Sequence, residues 1–422
     1  MNTQKDEYKT SRILYIIEAA LEYFISILIT GAYLAKITSS LGISDSLTGI
    51  LTSFVSLGCG FQLFSIFFVR QSKVKRKIVI FHSINQLFFA LIYLVPFINL
   101  SKEIKIGLFI VFLLFGHIIN NVINSPKINW YMSLVDNNKR GRFTANKEMV
   151  SLMGGMIFTF IMGSVIDYFE EMNNITGSFI VLGISVFILM MLHSLTLIFS
   201  KEQEVENNEK ASTKETLLKL IKDKKLFKII LIPILWNIVN YVAIPFYGSY
   251  QIKELGFTMK YVSILSIIYA ITRTLFSRPL GKYADKYSFT KMLNICFAVM
   301  LIAYSINIFT VPENGKILYT IYYVLYAIGM AGINSSTINL IYDYVSEENR
   351  VGALAISGSL SGFAGFFITL LVSPLVEYIQ NNNNIFLGIN VYAQQVVSFF
   401  TVILLVSLII YLNVIVKKIE KN

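Results

Sequence analysis

The chain has 422 residues, 55% of them hydrophobic and 14% charged, with a mean hydropathy of +0.64. A soluble domain carries about 25% charged residues, which argues against a water-soluble enzyme; three His and two Cys are too few for a Cys/His metal cluster or a disulfide framework. A net charge of +11 fits either nucleic acid or an anionic membrane face, and the placement of the positive residues decides between them.

From the N-terminus, residues 1–12 are polar and show no small-residue cleavage site, so the first apolar run reads as a retained helix. Twelve apolar runs of bilayer-crossing length are expected, near 13–36, 46–69, 78–99, 105–125, 148–168, 178–199, 228–250, 259–280, 291–311, 317–341, 353–376 and 393–416. Of the 36 Lys and Arg, 28 fall in the termini and on one set of loops, six on the other, and Lys127 and Arg273 inside spans. The positive-inside rule then places both termini in the cytoplasm and assigns the excess charge to orientation in a cytoplasmic membrane, with no nucleic-acid partner.

Ionisable groups inside a span are costly and mark function by default. Span one carries Glu18 and Glu22, and Tyr15, Glu18, Glu22, Ser26, Thr30 and Tyr33 share one arc of about 120°. Such a stripe must face protein or water, because lipid cannot satisfy it. Span four repeats the pattern with His117, Asn120, Asn121, Asn124, Lys127 and Tyr131, and Pro126 is expected to kink or end that helix. Lys127 lies at the depth of Glu18, so a Glu18–Lys127 pair is the simplest way to bury both charges, with Glu22 deeper in the bilayer. His117 reads as a hydrogen-bonded core residue rather than a proton relay. Gly154, Gly155 and Gly163 in span five, and Gly358, Gly362 and Gly365 in span eleven, permit close helix approach.

Between spans six and seven, Ser212 with Glu215 resembles a capping box ahead of a short amphipathic helix. Span seven presents Trp236, Asn237, Asn240 and Tyr247, around Pro245. Span eight holds Arg273, placed either to bind an anionic group or to pair with Asp285. Span ten lines up Tyr319, Tyr322, Tyr323, Tyr326, Met330 and Thr337, with Asn334 at the edge. A wall of Tyr, Trp and Asn suits a neutral polar or amphipathic solute; the competing reading is a packing stripe or interface belt. Cys59 and Cys296 read as free buried thiols.

The chain repeats internally. Asn124-Ser125-Pro126-Lys127-Ile128-Asn129 returns as Asn334-Ser335-Ser336-Thr337-Ile338-Asn339, and the same offset carries Arg140 to Arg350 and Asp167-Tyr168 to Glu377-Tyr378. Leu41-Gly42-Ile43-Ser44 returns as Leu255-Gly256-Phe257-Thr258. Two segments repeating at nearly half the chain length indicate two six-span halves in one orientation.

With Gly281-Lys282-Tyr283-Ala284-Asp285-Lys286-Tyr287 followed by Lys291, and with Lys139-Arg140-Gly141-Arg142-Phe143, the chain resembles the major facilitator superfamily over its whole length. The first-half loop departs from the signature, with Phe67 at the Gly position and Gln71 at the Asp position, and span five lacks the antiporters' proline after its glycines. The resemblance implies an all-α polytopic membrane protein of two six-helix bundles related by pseudo-two-fold symmetry. Residues 1–199 and 226–422 would form the bundles and 200–225 a cytoplasmic linker. It also implies that spans one, four, seven and ten line a central cavity, and that Gly281, Asp285, Lys286, Arg140 and Arg142 gate it. Gly281 and Asp285 are expected to form a tight turn whose carboxylate caps a neighbouring helix.

The expected function is secondary transport of a small neutral polar or sugar-like solute by alternating access, in a chain working as a monomer. Proton coupling falls to Glu18, Glu22 and Lys127. Substrate contacts fall to Asn120, Asn121, Asn124, Trp236, Asn237, Asn240, Tyr322, Tyr323, Tyr326, Asn334 and Arg273. No cofactor, metal or enzymatic activity is expected, and with no GxxxxGK[ST] loop the proton gradient is the expected energy source. Efflux of amphipathic compounds and a non-transporting sensor are the alternatives.

Overall fold

The computed structural model describes residues 7–65, 74–136, 139–203, 220, 222–346 and 349–421. Among them, ten helices are long and apolar enough to cross a membrane: Asp45–Ser65, Lys102–Ser133, Arg142–Glu171, Ile175–Phe199, Lys224–Glu254, Met259–Lys286, Phe289–Ile308, Gly315–Tyr342, Gly352–Asn381 and Ala393–Ile419. Span one is a bent pair, Lys9–Leu28 and Gly31–Ser40, turned by 45°. The bend has a local cause. Thr30 is extended at φ −134°, and Gly31 sits at φ +55°, a left-handed conformation that favours glycine. The helix Lys75–Ile92 stands where span three is expected; Lys75, Arg76 and Lys77 fill its first turn and shorten its apolar stretch. Twelve helical positions thus follow one another in the order the sequence gives.

The internal repeat is visible in backbone detail. Gly42 and Gly256 both take positive φ, +65° and +61°. Two residues on, Ser44 and Thr258 each cap a helix by accepting from a backbone N–H, Leu47 and Tyr261 respectively, at 3.2 Å. Farther along each half, Arg140–Glu171 and Arg350–Asn381 are both 32-residue helices, and each is followed by an Asn at φ +54°, Asn173 and Asn383. A two-stranded ladder, Ile385–Phe386 with Ile389–Asn390, joins spans eleven and twelve.

One local expectation is narrowed and two are corrected. Pro126 lies inside Lys102–Ser133 and does not end it. Span eight continues to Lys286, so Gly281 and Asp285 are helical rather than a tight turn. The helix that follows is capped by Ser288, whose Oγ accepts from the Lys291 N–H at 3.2 Å, and not by Asp285. Ser212 and Glu215 lie outside the described residues.

The chain forms two compact units, Met1–Leu41 with Phe61–Ala211, and Gly42–Gly60 with Ser212–Asn422. In the first, span one packs on spans five and six, and span three on spans four and six. A Cβ at Gly154 would stand 2.7 Å from the Phe24 ring, and Gly155 abuts Tyr23, so these glycines admit span-one aromatics. In the second unit, residues 42–60 lie along spans seven and eleven. Ser56 Oγ donates to the Gly362 carbonyl at 2.9 Å, and a Cβ at Gly362 would meet the Ser56 carbonyl at 2.5 Å. Asp45 accepts from Lys253 and from Gln380 Nε2, the latter at 2.7 Å. Span two passes from one unit to the other where its α-helix becomes a 3-10 turn at Phe61.

Candidate functional site

In the first unit the span-one and span-four stripes meet. Lys127 Nζ donates to Glu18 Oε1 at 2.8 Å and also to Glu22 Oε2. The Glu18 and Lys127 side chains are 0% and 2% exposed, whereas Glu22 keeps 22%. The pairing expected of Glu18 is therefore a bridge in which one ammonium serves two carboxylates. Beside it Tyr15 stacks on Tyr131, with ring centres 4.1 Å apart, and Trp130 stacks on Tyr131 in turn. These rings belong to an apolar cluster with Ile78, Leu134 and Leu197, which keeps the charges in a low-dielectric setting.

Two histidines join this cluster. His193 Nε2, on span six, lies 2.9 Å from the same Oε1 of Glu18 that Lys127 contacts. His82, on span three, has its ring centre 5.2 Å from that of His193. Its Nδ1 is 3.2 Å from Asn85 Oδ1, and Asn85 Nδ2 donates to Asn120 Oδ1 at 3.3 Å. His82 and His193 do not appear among the sequence candidates, although His82 shares a buried polar face with Asn85 and Gln86. The usable signal was that all three histidines of the chain lie in apolar runs of its first half.

The charge balance defines the chemistry. Two carboxylates and one ammonium leave one negative charge while both imidazoles are neutral, and a buried unpaired charge is costly. One added proton neutralises the cluster, and groups this close titrate as a set. Oxygen and nitrogen atoms of Glu18, Glu22 and His193 come within 4.8 Å of one another, a spacing that suits a metal ion. The Lys127 ammonium, hydrogen-bonded to both carboxylates, holds the position such a cation would take.

Around spans seven and ten the second unit's interior is lined by uncharged polar side chains. Asn240 Oδ1 accepts from the Tyr304 and Tyr326 hydroxyls at 2.9 and 3.0 Å, and Gln251 Nε2 donates to those of Tyr319 and Tyr323, each at 3.1 Å. Tyr247 shares a hydrogen bond with Ser398 at 2.7 Å. The Tyr322 hydroxyl is buried with no partner among the described residues. Tyr323, Tyr326 and Asn237 are half-buried, and Asn237 Nδ2 donates to the Ser361 carbonyl at 2.9 Å. Trp236 is buried against Phe297, with ring centres 5.5 Å apart.

The sequence profile of the Major Facilitator Superfamily matches residues 16–369 and again 238–419. The chain belongs to the major facilitator superfamily. Among solved structures, the nucleoside transporter NupG superposes with a TM-score of 0.69 at 15% identity, covering 95% of this chain and 98% of its own. A D-xylose-proton symporter gives 0.68 at 15% identity, covering 95% and 97%. A bacterial homolog of the human lysosomal transporter Spinster gives 0.64 at 12% identity, covering 98% and 97%. A search of the curated proteins found no significant match. The chain is thus an all-α polytopic membrane transporter of the major facilitator type.

The remaining candidates are dispersed within this fold. Asn120 joins the cluster through Asn85, while Asn121 Nδ2 donates to the His117 carbonyl on its own helix at 3.0 Å. Asn124 is half-buried on the same span. His117 packs on Phe89 at 5.0 Å between ring centres. Arg273 Nη1 contacts the Tyr269 hydroxyl at 3.4 Å, and the Tyr269 ring lies 6.0 Å from that of Tyr326. Asp285 is twelve residues farther along the same helix, about 18 Å away, so the two do not pair. Asn334 is exposed. Of the residues expected to gate, Arg140 Nε donates to the Met132 and Val135 carbonyls, at 3.1 and 3.3 Å, closing the end of span four. Gly281 is half-buried, Arg142 and Asp285 are exposed, and Lys286 lies over the Tyr287 ring. Cys296 is buried as expected, while Cys59 is half-buried; neither forms a disulfide.

Proposed function

We propose that this transporter moves a small neutral polar solute, of sugar or nucleoside type, by alternating access of its six-span halves, driven by a proton gradient. The observation that carries the reading is the bridge of Lys127 between Glu18 and Glu22. Glu22, the more exposed carboxylate, is where the proton enters. Protonation removes its charge, leaves Lys127 to Glu18, and lets the unit reorient without a bare charge in apolar surroundings.

Solute recognition falls to the uncharged wall of the second unit, where Tyr323, Tyr326 and Asn237 retain exposure and offer ring faces, hydroxyls and an amide. That suits a neutral ring carrying hydroxyl groups. The nucleoside transporter and the D-xylose-proton symporter among the structural neighbours fit the same chemistry. The 28 positive residues of one side support a cytoplasmic placement of both termini in a plasma membrane. The chain acts as a monomer in the lipid bilayer, with no bound cofactor and no nucleic-acid partner.

The test uses the purified chain in proteoliposomes, with a pH-sensitive dye inside and a panel of pentoses, hexoses and nucleosides added outside. At least one solute should acidify the lumen as it enters. If every transported solute leaves the lumenal pH unchanged, proton coupling is wrong.

A further inference from the structure

Behind Glu18 the cluster contains a pair of groups that transport through Glu22 alone leaves unexplained. His82 and His193 are both fully buried, and each presents one ring nitrogen without a partner among the described residues, Nε2 of His82 and Nδ1 of His193. Their hydrogen bonds define which atoms these are. Asn85 donates through its amide nitrogen to Asn120, so its oxygen is turned to His82 and accepts from Nδ1–H. His82 Nε2 is then a lone pair. His193 Nε2 faces a carboxylate oxygen, which only accepts, so Nε2 carries the hydrogen and Nδ1 is also a lone pair. No hydrogen bond joins the two rings, and both lone pairs are left unsatisfied among the described residues. Buried polar atoms of this kind are costly and uncommon.

A single proton removes the mismatch. Added to His193 Nδ1, it makes a donor for the His82 Nε2 acceptor, and with ring centres 5.2 Å apart a rotation of the rings that turns these nitrogens toward each other brings them to hydrogen-bond distance. We propose that His193, paired with His82, is the resting site of the cluster's proton. The inference rests on the reading of this cluster as the proton site and names the atoms that hold the proton. The route is a continuous chain of contacts: Glu22 Oε2 to Lys127 Nζ, Nζ to Glu18 Oε1, and Oε1 to His193 Nε2. A proton arriving on Glu22 passes to Nζ as Nζ releases one to Glu18. Glu18 in turn delivers one when the imidazole turns its Nδ1 lone pair to the carboxylate. The ring, now carrying a hydrogen on each nitrogen, swings back to donate to Glu18 through Nε2 and toward His82 through Nδ1. The product has Glu22 and Glu18 ionised, Lys127 and His193 positive, and no net charge. Each buried charge then has an opposite partner.

The titratable and charged groups around His193 are Tyr15, Glu18 and Glu22 from span one, His82 from span three, and Lys127 and Tyr131 from span four. Lys147 of span five lies over the Tyr15 ring at 5.3 Å. His117, packed on Phe89 away from the carboxylates, is a built-in control.

With only three histidines, the full chain labelled with nitrogen-15 histidine in lipid nanodiscs gives a readable spectrum without any substrate. On lowering the pH from about 8 to about 5, His193 should convert from one ring N–H to two. A coupling across the hydrogen bond from His193 Nδ1 to His82 Nε2 should appear with it. His82→Leu should shift the pH of that conversion by about one unit, a tenfold change in proton affinity, while His82→Gln, which keeps an acceptor, should shift it less. His193 remaining a single neutral tautomer throughout, or charging with no coupling to His82, overturns the proposal. Because this readout needs no transport, dye-silent proteoliposomes with a charging His193 would sink proton-coupled transport and leave the proton site standing.

Discussion

The two units bury polar groups in opposite ways. The first holds two carboxylates, an ammonium and two imidazoles inside a shell of stacked aromatic rings. The second holds tyrosine hydroxyls, Asn240 and Gln251, tied together by neutral hydrogen bonds. The backbone turns that open and close the repeat are nevertheless shared between the halves. The matching turns therefore sit in two different interiors, one built around buried charges and the other around neutral hydrogen bonds.

Breaking the charged side should have the largest effect. Lys127→Met leaves Glu18 and Glu22 without their shared cation and should cost about 3–5 kcal/mol, read as a lowered thermal midpoint of the purified protein. Adding Glu18→Gln should recover part of that loss. If the double variant is no better than the single one, the ammonium is not serving as a charge partner. Breaking the neutral side should cost less. Asn240→Leu strands the Tyr304 and Tyr326 hydroxyls and should cost about 1–3 kcal/mol. Equal losses at Lys127 and Asn240 would erase the contrast between the units.

Much of the architecture was legible in the sequence, because spans are set by length and apolarity and the repeat by matched residues. The stripe on span one and the stripe on span four were legible for the same reason, since charge inside an apolar run is conspicuous. The bridge from Lys127 to Glu22 was not, because two carboxylates one turn apart are equally plausible partners until the spans are docked. His193 and His82 were legible only in part: His82 shares a face with Asn85 and Gln86, but nothing in either helix alone shows that the two rings meet beside Glu18. Asp285 misled in the other direction: its motif suggested a turn, whereas the helix runs on to Lys286 and Ser288 does the capping.

Smaller perturbations sharpen the shared scaffold. Gly362→Val places side-chain atoms against the Ser56 carbonyl and the Gly60 backbone, and overpacking there should cost about 1–3 kcal/mol. Gly42→Ala and Gly256→Ala should each cost about 1–2 kcal/mol through backbone strain alone, and nearly equally, since Gly42 and Gly256 differ by only a few degrees in φ. Markedly unequal losses would mean that the two turns are similar in shape but not in the load they carry.

The division of labour between the units is tested most directly by comparing Glu22→Gln with Tyr326→Phe in proteoliposomes, using a solute found in the dye screen. Glu22→Gln should abolish accumulation driven by a pH gradient while exchange of labelled for unlabelled solute continues. Tyr326→Phe should weaken solute affinity and leave the protons moved per solute unchanged. Gradient-driven accumulation that survives Glu22→Gln would contradict the account.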